Sequence, residues 1–148
     1  MEFSPSWIQP LPVLEQQLGL SVHVLREDRL HPRVSGNKLR KLHYNLKEAQ
    51  AQGKGILTFG GAFSNHLLAT AIACHDYGLP CVGVVRGEAH EPLNPTLARA
   101  SEAGMQLVYI SREDYRRKDE PEFLHGLQEE FGGMYVVPEG GSNDLGVR

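Results

Sequence analysis

Gly55–Tyr77 reads GILTFGGAFSNHLLATAIACHDY, and this stretch decides the fold. Its opening, Gly55–Phe59, is a short apolar run of strand length and reads as a buried strand. Gly60-Gly61-Ala62-Phe63 reads as a tight turn. Ser64–Tyr77 then reads as a helix that is apolar nearly all round, through Leu67, Leu68, Ala69, Ala71, Ile72 and Ala73. A helix of that kind is sandwiched between other elements rather than solvated.

The alternation continues downstream. Pro80–Val85 is a second strand. Asn94 caps a helix with Pro95 at its first position and Gly104 beyond its end. Gln106–Ile110 is a third strand, Pro121–Phe131 a helix with Leu124, Leu127 and Phe131 on one face, and Met134–Val137 a fourth strand. Ser111–Glu120 carries four positive and four negative charges and reads as a solvated loop. Upstream, residues 1–20 read as a proline-punctuated lead-in with a short helix near Val13–Leu18, followed by a strand at Ser21–Glu27. Asn37 reads as the cap of a helix from Lys38 to about Gln52, with Leu39, Leu42, Leu46 and Ala49 as its apolar stripe. Strands alternating with helices imply right-handed crossovers. The expected fold class is α/β, an open, mainly parallel twisted sheet with flanking helices.

At 148 residues the chain has the length of one domain. The net charge of −3 argues against a nucleic-acid or anionic-membrane surface. No apolar run approaches the roughly 20 residues of a membrane-spanning helix. The start, MEFSPSWIQPLP, has neither the positive nor the apolar region of a secretory signal, so a cytoplasmic location is expected. Cys74 and Cys81 read as two reduced, partly buried thiols, and the seven histidines show no tight pairing, so no metal site is expected.

Three features can carry chemistry. In Gly60–His66, GGAFSNH, a helix begins where a strand ends, which in an open α/β sheet is where ligands bind. Free N–H groups and the positive dipole end favour an anion there, with Ser64, Asn65 and His66 as side-chain donors. The loop matches neither G-x-G-x-x-G nor the P-loop pattern. The same residues also read as a plain helix cap with tightly packed glycines. In Ser35–Leu42, SGNKLRKL, Lys38 falls in the first helical turn, where the dipole disfavours a cation. A desolvated amine there would have a lowered pKa and suit a Schiff base. Lys41 is three residues on, so a phosphorylated aldehyde cofactor can use Lys38 for the aldehyde and Lys41 for phosphate charge. Solvated helix residues are the alternative. Pro138–Asn143, PEGGSN, follows the last strand and lines the same crevice or is an ordinary loop; its GGSN echoes GGAFSN.

Taken in order, SGNKLRKL, GGAFSNH, NPTLARASEAGMQLVYISR and PEGGSN resemble the N-terminal half of fold type II pyridoxal-phosphate enzymes. The branch they look like is the D-cysteine desulfhydrase and 1-aminocyclopropane-1-carboxylate deaminase group, over about Asp28 to Val147. The resemblance implies pyridoxal 5'-phosphate as cofactor. It implies Lys38 as the Schiff-base lysine that later shuttles protons, Asn65 beside the cofactor's phenolic oxygen and Lys41 near its phosphate. It implies Ser64, Asn65 and His66 as the substrate-carboxylate cradle, with Ser64 assisting proton transfer. The implied reaction is a lyase or deaminase step on a small amino acid, with the pyridine ring as electron sink. D-cysteine would give pyruvate, ammonia and hydrogen sulfide; the cyclopropane substrate would be ring-opened. His66 after Ser64-Asn65 resembles the desulfhydrase side, since the deaminases tend to carry glutamine there. A non-catalytic α/β module binding a small anion is the reading without Lys38.

The resemblance also implies an incomplete enzyme. Family members are about twice this length, and the missing half would carry the glycine-rich phosphate loop, the group facing the pyridine nitrogen and a tyrosine near the substrate. Residues 1–50 then correspond to part of the large cofactor-binding domain and residues 51–148 to the small α/β domain with the start of the return. A homodimer is implied for the full-length protein.

Overall fold

The computed structural model describes residues 7–34 and 36–147. The elements run β1 (Ile8–Pro10), α1 (Pro12–Leu18), β2 (His23–Leu25), α2 (Asn37–Ala51), β3 (Ile56–Gly60), α3 (Asn65–Tyr77), β4 (Cys81–Arg86), α4 (Pro95–Glu102), β5 (Met105–Ile110), α5 (Arg112–Arg116), α6 (Pro121–Glu130) and β6 (Tyr135–Val137). Short 3-10 turns occupy Glu27–Arg29, Glu139–Gly141 and Asp144–Val147. Strands β3 to β6 form one parallel sheet in the order β5-β4-β3-β6, and β1 pairs antiparallel with β2 in a separate ribbon. This is the α/β architecture expected from the alternation of strand and helix.

Period-two alternation sorts the sheet's side chains into two layers. Ile56, Cys81 and Val85 join Leu39, Leu42, Leu46, Leu67, Ala71 and Leu97 in a core shared with α2, α3 and α4. Leu57, Phe59, Val82 and Val84 face the other way and pack with Tyr115 of α5 and Leu127 of α6. All five residues of β3 are buried, so this strand runs through the centre of the molecule. Its length leaves no solvated face for a polar residue, which makes Thr58 an exception that the site explains. Leu39, Leu42 and Leu46 of α2 are each 0–1% exposed, and burial of this kind contributes about 2 kcal/mol per leucine.

Three local readings need correction. Asn37 is the first helical residue of α2; Gly36, at φ 68°, takes the cap position, with no side-chain cap hydrogen bond. Only a residue without Cβ enters the helix from that conformation at no steric cost. The charged stretch after β5 is not simply a loop. Ser111 caps α5 through Asp114 N–H, and Tyr115 is 4% exposed beneath it. The strand at Ser21–Glu27 is only three residues long, because Glu27–Arg29 turns into a 3-10 helix. The cap at Asn94 is as expected, accepting from Thr96 and Leu97 N–H. Cys74 and Cys81 are free thiols, 0% and 5% exposed, so burial is more complete than the sequence indicates.

Candidate active site

Beyond β3 the chain winds to β4 and β5 on one side, and it returns as β6 on the other. The crevice outside the C-terminal ends of β3 and β6 is therefore the topological switch point of the sheet, the place where open α/β folds hold ligands. Two glycine turns flank it: Gly60-Gly61 after β3 and Gly140-Gly141 after β6. The echo between GGAFSN and GGSN thus falls across a single crevice.

The first turn is shaped by close packing. A Cβ at Gly60 would lie 2.6 Å from Ser64 Oγ and 2.7 Å from Leu67 Cγ. Ser64 is the N-cap of α3, and its Oγ accepts from Leu67 N–H at 3.3 Å. Its own proton has no acceptor among the described residues. The N–H groups of Asn65 and His66 come next in the first turn of α3 and have no partner within the helix, so the helix start can receive an anion. Asn65 is exposed.

The His66 side chain goes the other way, into the core. It is 3% exposed, with Nε2 2.8 Å from Thr58 Oγ1. Thr58 Oγ1 donates to Val137 O at 2.7 Å, so its remaining lone pair accepts from His66 Nε2–H. That fixes the tautomer: Nδ1 is unprotonated, buried and without a hydrogen-bond partner among the described residues. Burial first, then the positive charges of Lys38 and Lys41, hold the His66 pKa down at about 4. A neutral imidazole turned to Thr58 has no side-chain proton to offer the crevice; what His66 presents to an anion is its backbone N–H.

Helix α2 carries both lysines across the crevice. Its entry is fastened by Arg40, which donates to the Glu27 carboxylate at 2.6 and 2.9 Å, and by an Arg33–Asp76 ion pair to the end of α3. Lys38 is half-buried, and its amine makes no hydrogen bond or ion pair among the described residues. Gly140, at φ 72°, lies beside the amine: a Cβ there would stand 3.8 Å from Lys38 Nζ, an ordinary contact, and the positive φ is what favours glycine. A Cβ at Gly141 would meet Lys41 Cβ at 3.2 Å and His66 Cε1 at 3.5 Å. Lys41 Nζ donates to Ser142 Oγ at 3.0 Å. Lys38, Lys41, His66 and the Gly140–Ser142 turn therefore converge. Ser64 and Asn65 head the same helix as His66, and neither side chain hydrogen-bonds to either lysine.

Below the lysines, Asn45 locks this arrangement. Its amide donates to Lys41 O at 2.8 Å and to Asn143 Oδ1 at 3.1 Å, and Asn143 Nδ2 returns a bond of 2.8 Å to Asn45 Oδ1. Tyr135 OH donates to the same oxygen at 3.3 Å. Asn45 and Thr58 were not among the residues singled out in the sequence. Each is nonetheless a polar residue at a buried position, on the apolar stripe of α2 and inside β3.

The geometry fits a phosphorylated aldehyde on two counts. An uncommitted amine lies beside the Gly140 turn, and a second cation, Lys41, stands one helical turn away on the same glycine turn. Among the described residues, no helix is long and apolar enough to cross a membrane.

Comparison with known proteins finds relatives along almost the whole chain. A Thermotoga maritima protein assigned as a 1-aminocyclopropane-1-carboxylate deaminase is 39% identical over 151 residues, covering 99% of this chain and 48% of that protein. The D-cysteine desulfhydrase of Klebsiella pneumoniae subsp. pneumoniae is 29% identical, covering 97% of this chain and 46% of its own length. The crystal structure of an ACC deaminase homologue superposes with a TM-score of 0.77 at 29% identity, over 99% of this chain and 44% of that one. A pyridoxal 5'-phosphate-dependent aspartate racemase shares the fold, with a TM-score of 0.66 at 19% identity. The chain spans about half the length of the curated relatives it matches. The family profile described as pyridoxal-phosphate dependent enzyme matches residues 2–148, and the chain belongs to that family.

Proposed function

We propose that this chain supplies the Schiff-base lysine and the carboxylate cradle of a pyridoxal-phosphate-dependent amino-acid lyase or deaminase. The observation that carries the proposal is the uncommitted Lys38 amine facing Gly140 at the switch-point crevice. In this reading Lys38 holds the cofactor aldehyde and moves the substrate proton. Lys41 and the Gly140–Ser142 turn provide positive charge and N–H groups for an anionic group, and Asn65 lies beside the ring oxygen. The substrate carboxylate sits on the Asn65 and His66 N–H groups, with the Ser64 hydroxyl donating to it or passing a proton. Pyridoxal phosphate, when bound, supplies the electron sink that stabilises a carbanion at the amino-acid α or β carbon. Residues 1–50 belong to the large domain in this scheme and residues 51–148 to the small one. The same reading carries a homodimer at full length and a cytoplasmic location.

The preferred reaction is α,β-elimination from a β-substituted amino acid of the D-cysteine type, supported by His66 after Ser64-Asn65. Ring opening of 1-aminocyclopropane-1-carboxylate is the second reading, supported by the assigned activity of the 39% identical relative. The test is incubation with pyridoxal phosphate, borohydride reduction and peptide mapping. The expected result is one dominant adduct at Lys38. Adducts spread over surface lysines, with none preferred at Lys38, refute the assignment. Assaying the full-length protein with D-cysteine and with the cyclopropane amino acid separates the two reactions.

A further inference from the structure

A second cleft lies at the C-terminal ends of β4 and β5, on the side of β3 away from β6. Its larger part is a cavity of about 760 Å³ whose walls include Phe63, Arg86, Glu88, His90, Tyr109 and Arg112. Its smaller part, about 320 Å³, is lined by Arg86, Arg112, Tyr115 and Arg116. Arg86 and Arg112 line both parts. The larger part alone has the size of a small-molecule site.

The charges in this cleft are unbalanced. Among the described residues none of Arg86, Arg112 and Arg116 forms an ion pair, whereas the next residues along, Arg117 and Lys118, are paired with Asp114, Glu120, Asp119 and Glu139. Among the described residues Glu88 is the one carboxylate on the walls, and it pairs with none of the three. Arg86 is also held in place. Its Cζ stands 5.6 Å from the centre of the buried Tyr115 ring, a cation–π contact. On its other side, one of its nitrogens lies 3.7 Å from where a Cβ on Gly61 would be. The smaller part brings all three planar cationic forks around one space, which matches the oxygens of a multiply charged anion.

We propose that Arg86, Arg112 and Arg116 form an oxyanion-binding cleft, for a phosphate group or a dicarboxylate, separate from the Lys38 crevice. It shares only the Gly61–Phe63 turn with that crevice, so it stands whether or not Lys38 forms a Schiff base.

The test titrates inorganic phosphate, and separately succinate, into the isotope-labelled full chain at constant ionic strength. The amide signals of Gly61, Gly87, Ser111 and Tyr115 are followed. Saturable shifts at these positions are expected with at least one anion. Saturation by phosphate alone assigns a phosphate ligand, and saturation by succinate alone assigns a dicarboxylate. Arg86→Gln should weaken binding about tenfold or more, as loss of a charged hydrogen-bonding partner does. The double variant Arg112→Gln/Arg116→Gln, on the exposed α5, should do the same with a native-like spectrum. Arg117→Gln and Lys38→Ala should bind as the unaltered chain does. Absence of saturable shifts at these amides overturns the proposal. So does loss of binding in Lys38→Ala with Arg86→Gln unaffected, which would move the anion to the other crevice.

Discussion

Replacing His66 by glutamine should change how stability depends on pH. In the folded chain the imidazole is neutral, with Nε2–H on Thr58 and Nδ1 enclosed without a partner. Protonating Nδ1 would bury a cation beside Lys38 and Lys41, which is why the folded pKa sits at about 4 against an ordinary 6.5. Between these values the unfolded chain binds a proton and the folded chain does not. The stability His66 confers is therefore present above pH 6.5 and is lost as pH falls towards 4. One proton corresponds to about 1.4 kcal/mol per pH unit, so the interval amounts to about 3 kcal/mol. Glutamine keeps an N–H for Thr58 and does not titrate. Urea unfolding of both chains at steps from pH 7 to 4 gives the difference, in which the carboxylates common to both cancel. The unaltered chain should lose about 3 kcal/mol more than the variant over this range. Parallel curves would refute the reasoning and mean that the buried ring accepts its proton as readily as in the unfolded chain.

Three further substitutions probe the same framework. Thr58→Val leaves a buried N–H and the Val137 carbonyl without their hydroxyl partner, a cost of about 1–3 kcal/mol in urea unfolding that Thr58→Ser should largely recover. Asn94→Ala removes the cap of α4 and the bond from its side-chain amide to Ala62 O, so the thermal midpoint should fall by the equivalent of about 1 kcal/mol or more. Gly60→Ala forces a methyl against Ser64 and Leu67 and should cost about 1–3 kcal/mol by chemical denaturation; a variant as stable as its parent would show that the turn can open.

The central α/β alternation was legible because β3 is buried throughout and α3 along most of its length, so their composition betrays them. Helix α5 was not. It has five residues, only Tyr115 is buried, and its charge run is what a solvated loop also shows. Gly36 is not legible as the cap beside Asn37, because side-chain capping is the commoner device and the backbone angle that favours glycine leaves no mark in composition. Within the site, Lys38 and Lys41 stood out by their position on the helix, and the two glycine turns by their echo. The inward turn of the His66 ring could not be read, because it depends on Thr58 and on Val137, 79 residues further along than Thr58. Asn45 was hidden for the same reason, its amide partner being 98 residues away.

That separation has a kinetic consequence. Lys41 and Ser142 are 101 residues apart, yet their side chains meet, and Asn45 and Asn143 repeat the link one turn below. The crevice is thus closed by a clasp between the two flanks of the chain, fastened only after β6 has docked beside β3. Contacts this remote in sequence carry a large loop-closure cost and form late. The clasp can also open without unfolding the sheet, as a small cooperative unit. In hydrogen exchange, the amides of the first turns of α2 and of residues 139–147 should share one opening free energy, lower than that of β3. A ligand bridging Lys38 and the Gly140 turn should raise the protection of both segments together.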